Sequence, residues 1–197
     1  SLTLWRLVGL RKGGGAAQRT VLAHHVLSDA AFALSACLLV AVCGTANLTE
    51  LSSRVTLLGE QVWFKSSMPV SALPVASLLL VVSLSIKSAL FPFHRWLLAT
   101  LEAPTPLSGL LHAGVVNVSA VMAARLWPIL SGSSQSLLVW GLMAAVSGIV
   151  GALVMSTQSD VQRKLVFSTV SPMGFMGLPF ATGAIPAAIF HLLAHGL

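Results

Sequence analysis

The chain has 197 residues, 56% of them hydrophobic and 8% charged, with a mean hydropathy of +0.91 and a net charge of +6. Soluble domains average about 25% charged residues. This composition cannot clothe a water-facing surface, and it predicts an all-α, polytopic membrane protein. The positive charge sits mostly between apolar runs, which points to membrane orientation rather than to nucleic acid.

Ser1 to Arg19 reads as a short apolar tail followed by a basic, glycine-rich loop. Gly13-Gly-Gly15 lacks the Gly-Lys-Ser/Thr ending of a phosphate loop. Arg6, Arg11, Lys12 and Arg19 flank no long apolar core, unlike a secretory signal. His24 to Asn47 is the first expected span, with Asp29 in its first turn, where a helix dipole favours an anion. Cys37 and Cys43 fall about 240° apart on that helix, so two free, buried thiols are expected. Thr49 to Met68, with Glu50, Arg54, Glu60 and Lys65, reads as an interfacial loop.

Val70 to about Leu101 is the second span. Some 30 helical residues would reach roughly 45 Å against a hydrocarbon core of about 30 Å. Pro92 resolves the excess, because proline removes a backbone donor and clashes with the preceding turn. The helix should break near Phe91-Pro92-Phe93, and its freed carbonyls then need partners. Pro104 and Pro106, in Glu102-Ala-Pro-Thr-Pro106, mark a sharp turn into a third span, Thr105 to Trp127. Leu137 to Thr157 is a fourth, with Gly141, Gly148 and Gly151 for close helix contacts. Asp160 to Lys164 is a charged loop or helix start. Leu165 to Leu178 is a short fifth span in which Pro172 predicts a kink, and Ala184 to Leu197 begins a sixth. Residues 1–197 are expected to be the interior part of a single transmembrane domain. Lysine and arginine counts put the Ser1 side and the Asp160–Lys164 loop in the cytoplasm.

Lys87 is the sharpest functional signal. A lysine at membrane depth costs roughly 2.5–3.5 kcal/mol. Burial favours its neutral form and a nearby carboxylate its charged form, so a lysine poised between the two can pass a proton. The competing reading is a lysine that snorkels to an interface or pairs statically. Its partner carboxylate is expected on a helix outside this sequence. His112, seven residues into its span, is either a proton carrier or a satisfied core imidazole. His191 and His195 share a helix face and fit a hydrated proton relay better than a metal site. Zinc would need a further ligand, and no Glu follows His191 to complete the metalloprotease pattern. Glu102 is either a solvated turn residue or part of a gate. Arg163 and Lys164 read first as a topology signal. No paired carboxylates, catalytic triad or phosphate loop appears, so no enzyme site is expected.

Five motifs carry a resemblance. Lys87-Ser-Ala-Leu-Phe-Pro-Phe-His-Arg-Trp-Leu97, Glu102-Ala-Pro-Thr-Pro-Leu-Ser108 and Leu111-His-Ala-Gly114 resemble the antiporter-like membrane subunits. That family includes subunit 5 of respiratory complex I and the large subunit of multisubunit sodium/proton antiporters. Thr157-Gln-Ser-Asp-Val-Gln-Arg-Lys-Leu165 through Met173-Gly-Phe175, and His191-Leu-Leu-Ala-His195, continue the match in order. The resemblance implies that Lys87, His112, His191 and His195 carry protons. It also implies a partner glutamate upstream of Ser1 and a further relay lysine beyond Leu197. Two positions depart from the family pattern. Pro172 stands where relatives have glutamine. Gln162 stands where they often have lysine, which shifts that role to Arg163 or Lys164 or loses it.

Within the family, His112-Ala-Gly-Val-Val-Asn117 is most similar to the membrane subunit of two-component inorganic-carbon uptake complexes. That resemblance implies a bacterial inner-membrane subunit coupling proton flow to CO₂ hydration. The implied partner is a cytoplasmic, β-carbonic-anhydrase-like, zinc-carrying subunit, with no cofactor in this chain. The alternatives are a proton-pumping respiratory or antiporter subunit, and a membrane anchor that merely holds a soluble partner.

Overall fold

The backbone satisfies its own polar groups by winding into helices, the arrangement an apolar chain in lipid requires. The computed structural model describes residues 15–61, 72–102, 109 and 111–196, and no strand occurs among them. Helix α1 runs from Gly15 to Cys43. It starts well before His24, because Ala16, Ala17 and Gln18 favour helix and Arg19 and Thr20 turn back on the Gly15 and Ala16 carbonyls. Asp29 therefore lies near the middle of this helix, not in its first turn. The chain leaves α1 through Gly44, whose φ of +69° closes the end by donating to the Val40 carbonyl.

The stretch expected as an interfacial loop is, over Leu48–Gln61, a helix, α2. Its polar composition hid a helical period: Leu51 and Val55 are buried four apart, Asn47 Oδ1 caps the Thr49 N–H at 3.0 Å, and Glu50 pairs with Arg54 one turn on. Arg54 also donates to the Cys43 carbonyl, tying α2 to the end of α1. The hydroxyl of Thr45 donates to Glu50 at 2.9 Å, and that bond first, then Arg54, holds the Glu50 carboxyl below its usual range. A lowered folded pKa contributes stability that is present above the unfolded value, about 4.3, and is lost as pH falls through the folded one. Acidification through that window should therefore lower the protection of amides in the first turn of α2 relative to their intrinsic exchange rates. Glu50→Gln should show the lower protection already at neutral pH, with no further acid response.

Helix α3 spans Ala72–Lys87 and α4 spans Arg95–Ala99, followed by a 3₁₀ turn over Thr100–Glu102. The break between them contains the cis Phe91–Pro92 bond and Ala89 in the left-handed region at φ 54°. Regular helix stops at Lys87, earlier than the proline alone would predict. A π-helical turn, Leu111–Val115, leads into α5, Val116–Arg125. A short α6, Trp127–Leu130, and then α7, Ser134–Thr157, follow. Helix α8 covers Val161–Ala181, 21 residues. That is longer than the expected 165–178 because Asp160 caps it through the Gln162 N–H at 2.9 Å. Its charged first turn belongs to the helix, which continues through Pro172 and Pro179. Helix α9 is Ile185–Gly196, and Pro104 and Pro106 lie outside the described residues.

By length and composition α1 and α7 can each cross a bilayer. Helix α1 packs on α3, and α7 packs on α8. Serines stitch the first pair: Ser28 Oγ donates to the Ser83 carbonyl at 3.0 Å and Ser35 Oγ to the Ala76 carbonyl at 2.7 Å. Glycines draw the second pair together, and Ser171 Oγ donates to the Gly148 carbonyl at 3.0 Å. Neither cysteine is bonded. Cys43 is buried, but Cys37 is exposed, on a face of α1 turned away from α3.

Candidate functional site: a broken helix and its ion pair

Ending α3 at Lys87 leaves its last carbonyls without the next helical turn. They find other donors. The Ile86 carbonyl accepts from the Ala89 N–H at 3.1 Å and from the indole N–H of Trp96, on α4, at 2.7 Å. The Ser85 carbonyl accepts from the Leu90 N–H at 3.0 Å, and the Leu84 carbonyl from both the N–H and the hydroxyl of Ser88. The Phe91 N–H donates to Ser147 Oγ of α7 at 2.7 Å. Trp96, Leu97 and Leu90 are almost wholly buried. The break is thus held from both sides, and irregular backbone persists in a protein-lined pocket.

The lysine at its rim is paired. Lys87 Nζ donates to Asp29 Oδ1 at 2.7 Å, the two side chains being 21% and 48% exposed. This corrects the expectation that its carboxylate lies outside the sequence. Because α1 starts at Gly15, Asp29 rises to the level of Lys87. His25, one turn before Asp29, was not singled out in the sequence. It is 3% exposed, stands edge-on to Trp96 at 4.7 Å, and its Nε2 meets no hydrogen-bond partner among the described residues. Its spacing from Asp29 was the one available signal.

A second polar seam links the break to α5. Ser88 Oγ and Ser119 Oγ lie 2.6 Å apart, and Ser119 Oγ also donates to the Val116 carbonyl. They line a cavity of about 10 Å³ closed by Trp140, Met173 and Phe180, about the room one water needs. His112 sits in the π-helical turn just before α5, a helix defect that recurs at functional sites. The His112 side chain lies outside the described residues, as does that of Glu102, which ends the 3₁₀ turn.

The other predicted residues stand on other helices. His191 and His195 stack on α9, ring centroids 6.5 Å apart and 15° between planes. Arg163 and Lys164 are exposed in the first turn of α8. Arg163 lies 3.9 Å from Asp160 and lines a cleft of about 320 Å³ with Leu98, Leu101 and Phe167, at the far end of the broken helix.

An apolar helical bundle that keeps an ion pair and a serine seam at a broken helix defines a class of membrane-embedded subunit. The chain belongs to the NADH:quinone oxidoreductase/Mrp antiporter transmembrane family, which it matches over residues 1–197. It is 36% identical over 174 residues to a probable inorganic carbon transporter subunit DabB1 of Halothiobacillus neapolitanus, covering 87% of this chain and 30% of that one. It is 42% identical over 120 residues to a probable DabB of Bacillus subtilis, covering 61% of this chain and 24% of that one. A chloroplastic NAD(P)H-quinone oxidoreductase subunit 5 from Chaetosphaeridium globosum is 38% identical over 122 residues, covering 61% of this chain and 18% of that one. The chain thus spans less than a third of the length of these curated relatives. In fold it is similar to a chain of an archaeal membrane-bound sulfane sulfur reductase, at TM-score 0.82 and 21% identity over 99% of this chain and 40% of that one. The Mrp complex of Dietzia sp. gives TM-score 0.79 and 23% identity over 99% of this chain and 36% of that one.

Proposed function

We propose that this chain forms part of the proton-conducting membrane subunit of an inorganic-carbon uptake complex. The Asp29–Lys87 pair beside the broken helix is the observation that carries the proton reading, and the named relatives supply the inorganic-carbon reading. Asp29 supplies the Lys87 ammonium with a counter-charge. If the pair loosens, its ammonium can surrender a proton to a neighbouring group. The Ser88 and Ser119 hydroxyls, 2.6 Å apart, carry a polar seam from the break to α5, the helix that follows the turn carrying His112. His191 and His195 extend the path on α9, with Glu102, Arg163 and Lys164 near its cytoplasmic mouth.

The partner in this reading is a cytoplasmic subunit similar to a β-carbonic anhydrase, and the zinc is that partner's. There it would lower the pKa of a bound water for attack on CO₂. Proton flow through the membrane subunit would drive hydration to bicarbonate in one direction across a bacterial inner membrane. The likeness to quinone oxidoreductase subunit 5 supports a second reading, a redox-driven pump. Affinity purification of the full-length subunit separates them. The first reading expects a soluble partner with about one zinc per copy, and bicarbonate accumulation that collapses with an uncoupler. Co-purifying flavin and iron–sulfur subunits without zinc would establish the second.

A further inference from the structure

We propose that His25 is a proton-accepting station that exchanges charge with Lys87 across Asp29, a role that rests on the proton-conducting reading above. Its side chain is buried, and Nε2 has no hydrogen-bond partner among the described residues. An imidazole nitrogen left bare in an apolar bundle is costly when its only task is packing. Trp96 fixes the ring edge-on at 4.7 Å while its own indole N–H is committed to the Ile86 carbonyl. The ring's position is thereby locked to the end of α3, where Lys87 begins the break.

The charged and titratable groups around His25 come from three helices. Asp29 and His24 lie on α1, and Lys87 lies on α3, paired to Asp29 one turn beyond His25. Helix α4 packs across α1 and carries Arg95 at its start, just after His94. Asp29 can serve only one full positive charge well. In the proposed exchange His25 is neutral while Lys87 is an ammonium paired to Asp29. When the Lys87 ammonium gives up a proton and becomes an amine, His25 Nε2 can take one and become imidazolium, and Asp29 then balances that charge. One N–H bond breaks and one forms, and the net charge of the trio is unchanged. Lys87 thus never leaves behind an uncompensated carboxylate, whose presence at membrane depth would oppose proton release.

The test uses the full-length complex in proteoliposomes, with proton flux followed by a pH-sensitive dye from about pH 6 to 8. Lys87→Ala is measured in parallel. His25→Gln keeps a polar side chain of similar reach but cannot carry a proton. It is expected to assemble, to lose roughly 10- to 100-fold in flux, and to flatten the pH profile. His25→Asn should behave alike. Wild-type flux and profile in His25→Gln, with Lys87→Ala inactive, overturns the His25 role alone. Both variants active overturns the proton-conducting reading itself. If neither the Gln nor the Asn variant assembles, His25 is a packing residue and the inference fails.

Discussion

Lys87→Ala is expected to stop proton flux through an assembled complex, a loss of at least about 10²-fold, and with it bicarbonate accumulation. The ammonium is the only cation seen paired to a carboxylate on a different helix among the described ion pairs, and it sits where regular helix ends. Alanine alone does not separate a proton carrier from a static pair, because it removes both roles. Lys87→Arg does. A guanidinium keeps the charge and can pair with Asp29 bidentately, yet it does not deprotonate in proteins. The arginine variant should assemble as wild type and still fail to conduct. Asp29→Asn should be milder than either, leaving the ammonium in place without its counter-charge. The side-chain exposures of 21% and 48% moderate that cost below the value for a fully buried pair. A flux decrease of about tenfold, equivalent to about 1.4 kcal/mol, is expected. The checks are dye-quench flux in proteoliposomes and size-exclusion profiles of the complex. An arginine variant with normal flux would make Lys87 a structural anchor.

Much of this site is legible in the sequence. Pro92 announces the break because its ring deletes a donor, and the length of the run around it demands an interruption. Lys87 stands out because a charge at membrane depth is expensive. The missing parts share a cause: each depends on where a helix starts or on what a distant segment brings. An apolar run counted from His24 puts Asp29 in a first turn, whereas Gly15-Ala-Ala-Gln18 carry α1 upstream and Asp29 meets Lys87 from the middle of the helix. His25 is one residue among many on an apolar helix until Trp96 folds over it from α4. The polarity of α2 argues for a loop, although Leu51 and Val55 already have a helical period. The charged Asp160–Lys164 stretch fits a loop or a helix start by composition, and the Asp160 cap makes it the first turn of α8. Composition told the environment correctly, but only register told which residues meet.

Gly174→Ala should unseat α8 from α7, although it adds a single methyl group to a helix that alanine otherwise favours. A Cβ at Gly174 would press into the Gly148 backbone nitrogen, 2.6 Å from the Ala144 carbonyl oxygen and 2.8 Å from Gly148 Cα. All three obstacles are backbone or its carbonyl, so no rotamer change relieves them and the helices must part. Overpacking of this kind costs about 1–3 kcal/mol where side chains can yield, and the upper end or beyond is expected here. Gly148→Ala is the matched control. Its Cβ would meet the Phe175 ring at 3.6 Å, an ordinary contact, and it should be near neutral. Thermal unfolding of the complex in detergent should show a clear drop for Gly174→Ala and little change for Gly148→Ala. The effect should also reach the site. Ser147, beside Gly148, accepts the Phe91 N–H at the break, so a shift of α7 withdraws the group that holds the broken backbone. Gly174→Ala complexes that do assemble should therefore conduct protons poorly. Equal stability of the two alanine variants would mean that α7 and α8 pack less closely in the membrane than these contacts require.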